Sequence, residues 1–379
     1  MSYRKVLLKS IAILAVLFVI RYLAKQVLLL GFHKTAFTHW PGPCRSVSPV
    51  EHGAEDMVLT KNGLAIITSG IDVAYRGDVT DPRISAAPGK LFAFNFNKPE
   101  QNATELEFAI GTDSEFSPHG ISIWEEGSET RIFVVNHRQD AETIEIFKLI
   151  GDIAKPKIEH IKSVQDPLFT SVNDVLATGP SSFYATNDGY LRFTAWRGLE
   201  RLLSRPWGSV VHYDGSEAKV VVGSTFEYNG MGLSLDGQFV YIARPFTSSI
   251  MIYERSSETN DLAFHQEIAI GALPDNIFVH PVTGDLWSGC TAIGYRLLAA
   301  FENIDNWAPS LVLRVRPLGT KDRPFEQFKV YDVFSDDGHI MSSSSSAAVV
   351  GNGLLIGSVM QKLVYCDMKV DSTLSRDTY

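Results

Sequence analysis

Cysteine is scarce in this chain, and blocks of basic residues are missing from most of it. Three cysteines among 379 residues exclude a disulfide-dense scaffold. Lys and Arg number 34 against 43 Asp and Glu, a net charge of -9. Beyond the first few dozen residues the basic ones are scattered, which excludes a nucleic-acid surface and suits cations better than phosphates. The usual enzyme signatures are absent as well: no HExxH, no CxxC pair, no P-loop, no contiguous EF-hand loop and no GxSxG elbow. Gly232-Leu233-Ser234-Leu235-Asp236 comes nearest to the last and lacks its closing glycine.

The N-terminus holds what the rest lacks. Ile11 to Ile20 is an unbroken apolar run, preceded by Val6, Leu7 and Leu8 around Lys9 and followed by Arg21, Lys25 and a second patch from Val27 to Leu30. A cleaved signal peptide is one reading, because the uninterrupted core is short for a span of about 20 residues. No small-x-small cleavage site follows, basic residues flank both sides, and Lys9 can snorkel, so the segment 1–30 is read as an uncleaved membrane anchor. Arg4, Lys5 and Lys9 slightly outweigh Arg21 and Lys25, which puts the N-terminus in the cytoplasm and the body in the lumen or outside the cell. The expected layout is anchor 1–30, linker 31–43, body 44–366 and a polar tail 367–379.

Cys44 and Cys366 bracket nearly the whole body, a placement suited to a ring whose ends must meet, and are expected to form a disulfide with Cys290 left free. Three unrelated buried thiols are the alternative. Asn102-Ala103-Thr104 is a glycosylation sequon, usable in an oxidising compartment.

From about residue 55 the chain reads as short β-rich runs punctuated by Gly, Asp, Asn and Pro. Asn62-Gly63 precedes LAIITSG, Asp236-Gly237 precedes QFVYIA, Thr283-Gly284-Asp285 precedes LWSG, and Asn352-Gly353 precedes LLIGS. Each is a tight turn feeding an apolar strand, taken as the inner strand of a blade. Units recurring every 40 to 60 residues or so make an all-β, six-bladed propeller. The stretches Tyr190 to Arg205 and Gly294 to Trp307 read as helical or irregular insertions over one face.

Chemistry-bearing residues come in adjacent pairs: Glu55-Asp56, Asn173-Asp174, Asn229-Gly230 and Asp275-Asn276. Singly, such a pair is ordinarily a turn or a cap. Set repeatedly beside apolar strand residues, as in SVNDVLA and LPDNIFV, they point to a shared central site for a hard cation, which needs six to eight oxygen ligands.

The segments Ala54-Glu55-Asp56, Phe116 to Ser122, Val134-Val135-Asn136-His137, Val172 to Val175, Phe183 to Asp188, and Leu273 to Ile277 with Gly284 to Cys290 closely resemble the paraoxonases, also called arylesterases. The resemblance runs in order over residues 44 to 366. It implies two calcium ions, one catalytic on Glu55, Asn173, Asn229, Asp275 and Asn276, the other structural on Asp56, Asp174 and the backbone carbonyl of Ile121. It also implies a histidine dyad of His119 and His137, one imidazole deprotonating a water while the other orients it. Without the resemblance these would read as a loop histidine and a strand-end histidine. Such a centre suits ester or lactone hydrolysis, with the metal as Lewis acid and a histidine as base.

The site wall departs from that family. Gly189 and Thr291 stand where the vertebrate enzymes carry histidines, and the serine run Ser342 to Ser346 replaces part of a mixed wall before Leu354 to Gly357, taken as the last strand. Two functions follow. One is a calcium-dependent hydrolase of lactones or aryl esters. The other, favoured by the anchor and the rewritten rim, is a membrane-anchored accessory factor like the paraoxonase-related proteins that assist folding, assembly and surface expression of degenerin/ENaC-type channels.

Overall fold

In a computed structural model, described for residues 3–71, 88–109, 115–190, 200, 205–225 and 227–369, the body is a ring of six β-sheets. The first blade is built from β2 (Met57–Leu59), β3 (Leu64–Ser69), β4 (Lys90–Asn95) and β5 (Thr104–Glu105). A short β6 (Glu107–Phe108) pairs parallel to the outer edge of the second blade, whose strands are β7 (Pro118–Glu126), β8 (Glu129–His137), β9 (Glu142–Ile150) and β10 (Lys157–Val164). Blade three begins with β11 (Val172–Ala177) and β12 (Phe183–Asn187), blade four with β15 (Met231–Leu233) and β16 (Phe239–Arg244), and blade five with β19 (Leu273–Val279) and β20 (Leu286–Thr291). The outer strands of those three blades are β13 (Gly208–Tyr213) and β14 (Ala218–Thr225), β17 (Ser249–Arg255) and β18 (Leu262–Ala269), and β21 (Ser310–Pro317) and β22 (Phe328–Asp336).

The sixth blade closes the ring. Its strands β23 (Ser344–Val350), β24 (Gly353–Ser358) and β25 (Leu363–Asp367) take their fourth partner, β1 (Cys44–Val47), from the other end of the body. Cys44 faces Cys366 in the antiparallel register, and the two are joined by the expected disulfide while Cys290 is free and buried. The last strand of the ring is therefore β25, one strand beyond the segment Leu354 to Gly357.

The turn-fed segments form strands as expected, but not the inner ones. LAIITS, FVYIAR, LWSGCT and GLLIGS are β3, β16, β20 and β24, the second strand of each blade. Second strands lie between two neighbours in their own sheet and two adjoining blades, so nearly every residue is buried and the run reads as strongly apolar. The inner strands border the central tunnel and carry the polar pairs. Apolar clusters fill the gaps between blades; Phe133, Val135 and Ile144 of blade two, for instance, pack with Val175, Phe183 and Val211 of blade three.

The N-terminal segment is one continuous helix, α1 (Tyr3–Leu29), which runs through Arg21 and Lys25 without a break. Within Lys5–Leu29 the most apolar stretch of 18 residues has a mean hydropathy of 2.3, and none of it is buried. Its 27 residues extend about 40 Å, enough to cross a hydrocarbon layer of about 30 Å. Residues 31–43 run along blades five and six: Lys34 Nζ donates to the carbonyl of Gly271, His39 bridges Ser335, Trp40 Nε1 donates to Asp336 Oδ1 at 3.2 Å, and the Pro41 and Pro43 carbonyls accept from the Lys369 and Asp367 amides. Of the two expected insertions, Gly294–Glu302 is a helix, α2, while 191–199 and 201–204 fall outside the described residues, as does most of the polar tail. Asn102 is exposed in the loop before β5.

Candidate functional site

The polar pairs gather at the inner strands of blades one, three, four and five. Glu55 and Asp56 lead into β2, Asn173 and Asp174 open β11, Asn229 lies just before β15, and Asp275 and Asn276 sit within β19. Pairing with the second strand slips at the same place in four blades: Pro118/Ile121, Val172/Asp174, Pro274/Ile277 and Ser344/Ser346. A bulge frees a residue from the ladder and re-aims its side chain. Here the bulges hold His119, Asn173, Asp275 with Asn276, and Ser345.

Adjoining blades are stitched together by these same groups. Asp56 Oδ2 accepts from the Ile121 amide at 2.9 Å and Asp174 Oδ2 from the Met231 amide at 2.6 Å. The Asn276 amide donates to the carbonyl and to Oε1 of Glu55, at 3.0 and 2.9 Å. Ser345 Oγ donates to the Glu55 carbonyl at 2.6 Å and Ser346 Oγ to that of Ala54 at 3.2 Å. The serine run is thus fully buried backbone support on and beside β23, where the sequence suggested a pocket wall. Inner strands approach so closely that side chains are excluded: a Cβ on Gly230 would lie 2.7 Å from the Asp275 carbonyl, and one on Gly120 would overlap Asp174.

Glu55, Asp56, Asn173, Asp174 and Asn276 are each less than 7% exposed (2, 6, 6, 3 and 4%). Burial, reinforced by repulsion from Glu55, holds the Asp56 carboxyl well above the usual range; burial and Asp56 do the same to Asp174, and burial and Glu55 to Asp275. Beside these carboxylates the buried acceptors Asn173 Oδ1 and Asn276 Oδ1 have no hydrogen-bond partner. Negative charge and orphaned acceptors in one place fit a bound cation. Among the described residues no three His, Cys, Asp or Glu side chains are grouped closely enough to hold a metal by themselves. A donor set of amide oxygens mixed with carboxylates would suit calcium.

The cluster plugs the tunnel between two cavities. One, of about 170 Å³, is lined by Glu55, His119, Asn173, Asn229 and Asp275 on one side and by Leu297, Leu298 and Phe301 of α2 on the other. The second, of about 200 Å³, is lined at its polar end by Asp56, Ile121, Asp174 and Asn276. The residues that the resemblance divides between two ions are divided almost identically between two spaces.

His119, in the bulge of β7, and His137, at the end of β8, come together: His119 Nδ1 lies 2.9 Å from His137 Nε2. His119 Nε2 is 3.5 Å from Glu55 Oε1 at the first cavity. His137 Nδ1 is 2.5 Å from Glu142 Oε2. Glu142 escaped sequence analysis, although the four-residue turn after His137 makes the two direct cross-strand partners. Asp188, which closes the segment Phe183 to Asp188, and Glu227 also line the first cavity, and neither received a role from the sequence. Thr291 lies at the rim with Oγ1 3.4 Å from Ser343 Oγ, and a Cβ on Gly189 would lie 3.0 Å from Glu200 Oε1. The base of α1 meets this face directly, for the Leu30 carbonyl accepts from the Tyr295 amide of α2 and Phe32 stacks on the Tyr295 ring at 4.5 Å.

Comparison with known proteins points to one family. The family model Arylesterase matches residues 39–368. The chain is 36% identical over 329 residues to serum paraoxonase/arylesterase 1 of Mus musculus and 34% identical over 327 residues to serum paraoxonase/arylesterase 2 of Gallus gallus, covering 86% of this chain and 88% of each relative. It is 33% identical over 328 residues to serum paraoxonase/lactonase 3 of Oryctolagus cuniculus. Among solved structures, a luciferin-regenerating enzyme shares the fold at a TM-score of 0.52 and 12% identity, over 87% of this chain and 96% of that one. A six-bladed ring closed by Cys44 and Cys366, with its inner bulges gathering acidic and amide oxygens, together with these matches, places the chain in the arylesterase (paraoxonase) family.

Proposed function

We propose that the chain is a membrane-anchored, calcium-dependent hydrolase of small esters or lactones. The observation that carries this reading is the line of side chains from Glu142 through His137 and His119 to Glu55, ending at an open cavity beside the acidic cluster. Glu55, Asn173, Asn229, Asp275 and Asn276 would hold calcium on the cavity side, and Asp56, Asp174 and the Ile121 carbonyl a second ion on the other. Bound calcium supplies Lewis acidity at a substrate carbonyl and positive charge for the oxyanion that develops there. His119 takes a proton from water at Nε2, and His137 orients its ring. Leu297, Leu298 and Phe301 give the cavity an apolar wall that receives an acyl or aryl group and sheds water. A volume of about 170 Å³ is below the roughly 300 to 1,000 Å³ common for ligand sites, which restricts substrates to small ones. The relatives, a paraoxonase/arylesterase and a paraoxonase/lactonase by name, support the same class.

In this reading α1 is the uncleaved anchor, residues 31–43 connect it to the ring, and the ring with a glycan on Asn102 lies in the lumen or outside the cell. The disulfide supports the oxidising side. The direct joint between α1 and α2 keeps the cavity mouth near the bilayer.

The small cavity and that joint also favour a second reading, the accessory role for degenerin/ENaC-type channels, in which calcium only rigidifies a docking surface. Hydrolysis of phenyl esters and lactones by the full chain in detergent decides between them. The hydrolase reading expects turnover that is lost on calcium chelation and in His119→Gln. Absence of turnover, with channel currents supported equally by wild type and His119→Gln but not by a chain lacking residues 1–30, would replace it with the accessory reading.

A further inference from the structure

We infer that Glu142 is a positioning residue that selects the tautomer of both histidines and so creates the base at the cavity; the inference deepens the hydrolase reading and rests on it. Two neutral imidazoles joined by one nitrogen-to-nitrogen hydrogen bond can be arranged in two ways. In one, His137 Nδ1 carries a proton and its Nε2 accepts from His119 Nδ1, leaving a lone pair on His119 Nε2 at the cavity. In the other, His137 Nε2 donates, His119 Nδ1 accepts, and His119 Nε2 carries a proton and cannot act as a base. The dyad alone does not choose between them.

Two carboxylates act on the choice in opposite senses. Glu142 at 2.5 Å from His137 Nδ1 favours the first arrangement, because an ionised carboxylate only accepts. Glu55 at 3.5 Å from His119 Nε2 favours the second. Distance settles the contest: 2.5 Å is a short, charge-assisted contact, whereas 3.5 Å is at the outer limit of a hydrogen bond. The side chains of His137 and Glu142 are 0 and 2% exposed, so water does not screen the pair. Glu142 is held in place by the hairpin itself, since it is the direct partner of His137 across the turn and the Arg138 amide closes that turn on the Ala141 carbonyl. When His119 Nε2 gains a proton, the chain of bonds leads that positive charge back to Glu142.

The test is Glu142→Leu and Glu142→Asp in the full chain, labelled with ¹⁵N histidine. Long-range ¹H–¹⁵N correlation in wild type is expected to show His137 protonated at Nδ1 and His119 Nε2 bare. In Glu142→Leu the His119 Nε2 signal should move toward the protonated form, kcat on a phenyl ester should fall roughly 100-fold with KM unchanged, and calcium content should be retained. Glu142→Asp should recover part of both readouts. Unchanged tautomers in Glu142→Leu, or a wild type already protonated at His119 Nε2, would overturn the inference. If wild type hydrolyses nothing, the hydrolase reading fails, and the tautomer readout still decides the role of Glu142.

Discussion

His212 shows what burial in this ring does to a titratable side chain. The imidazole is 2% exposed and packs against the Tyr184 ring at 4.9 Å. Burial, with Lys219 adding to it, pushes its pKa down from 6.5 to about 4. Above pH 6.5 the histidine is neutral folded and unfolded, and its contribution to stability is complete. As the pH falls toward 4 the unfolded chain takes the proton first, so that stability is lost across the window. Thermal melts of His212→Phe between those limits should therefore decline less steeply than those of wild type. Gly230 answers to packing instead. A Cβ there meets Asp275 and Asn276, so Gly230→Ala should shift two ligand candidates and weaken calcium binding about tenfold, read by chelator competition. The ligand candidates were legible because they recur as pairs in similar surroundings. Glu142 was not, because its role exists only through a hairpin register that no local pattern announces.

Individual strands were legible and their ranks were not. Turn chemistry marks where β3, β16, β20 and β24 begin, yet it says nothing about which arm of a hairpin borders the tunnel. Inner strands such as β19, Leu-Pro-Asp-Asn-Ile-Phe-Val, carry ligands and a bulge that interrupt the alternation expected of a strand. Ser342 to Ser346 misled for a related reason: a polar run looked like solvent-facing wall, whereas its hydroxyls satisfy carbonyls of the neighbouring blade. The terminal strand β1 is held to β25 by its ladder and by one cross-link. Cys44→Ser removes the covalent closure of a loop spanning 322 residues and should cost about 2 to 5 kcal/mol, measured by denaturant unfolding under oxidising conditions. Reducing agent should bring wild type to the same midpoint.

For the molecule as a whole, the ring is both the scaffold and the source of the candidate ligands. Blades one, three, four and five each bring oxygen donors to one axis, so closing the ring concentrates negative charge that the unfolded chain keeps dispersed. In the absence of a cation, the raised pKa values of Asp56, Asp174 and Asp275 make the folded state bind more protons than the unfolded one. Their contribution is complete below the ordinary carboxylate pKa of 3.8 and is lost as pH rises through the elevated values. At neutral pH a bound cation, as proposed above, would take the place of those protons. The number of blades and the charge of the axis could be read from the sequence; the partition of the axis into two cavities, and the joint between α1 and α2, required the folded arrangement.

The most direct measurement is the calcium content and melting temperature of the purified full chain at neutral pH, before and after chelation. Calcium should copurify with the chain, its removal should lower the melting temperature by about 5 °C or more, and calcium, but not magnesium, should restore it. A chain that purifies without calcium and melts at the same temperature with and without chelator would contradict the account.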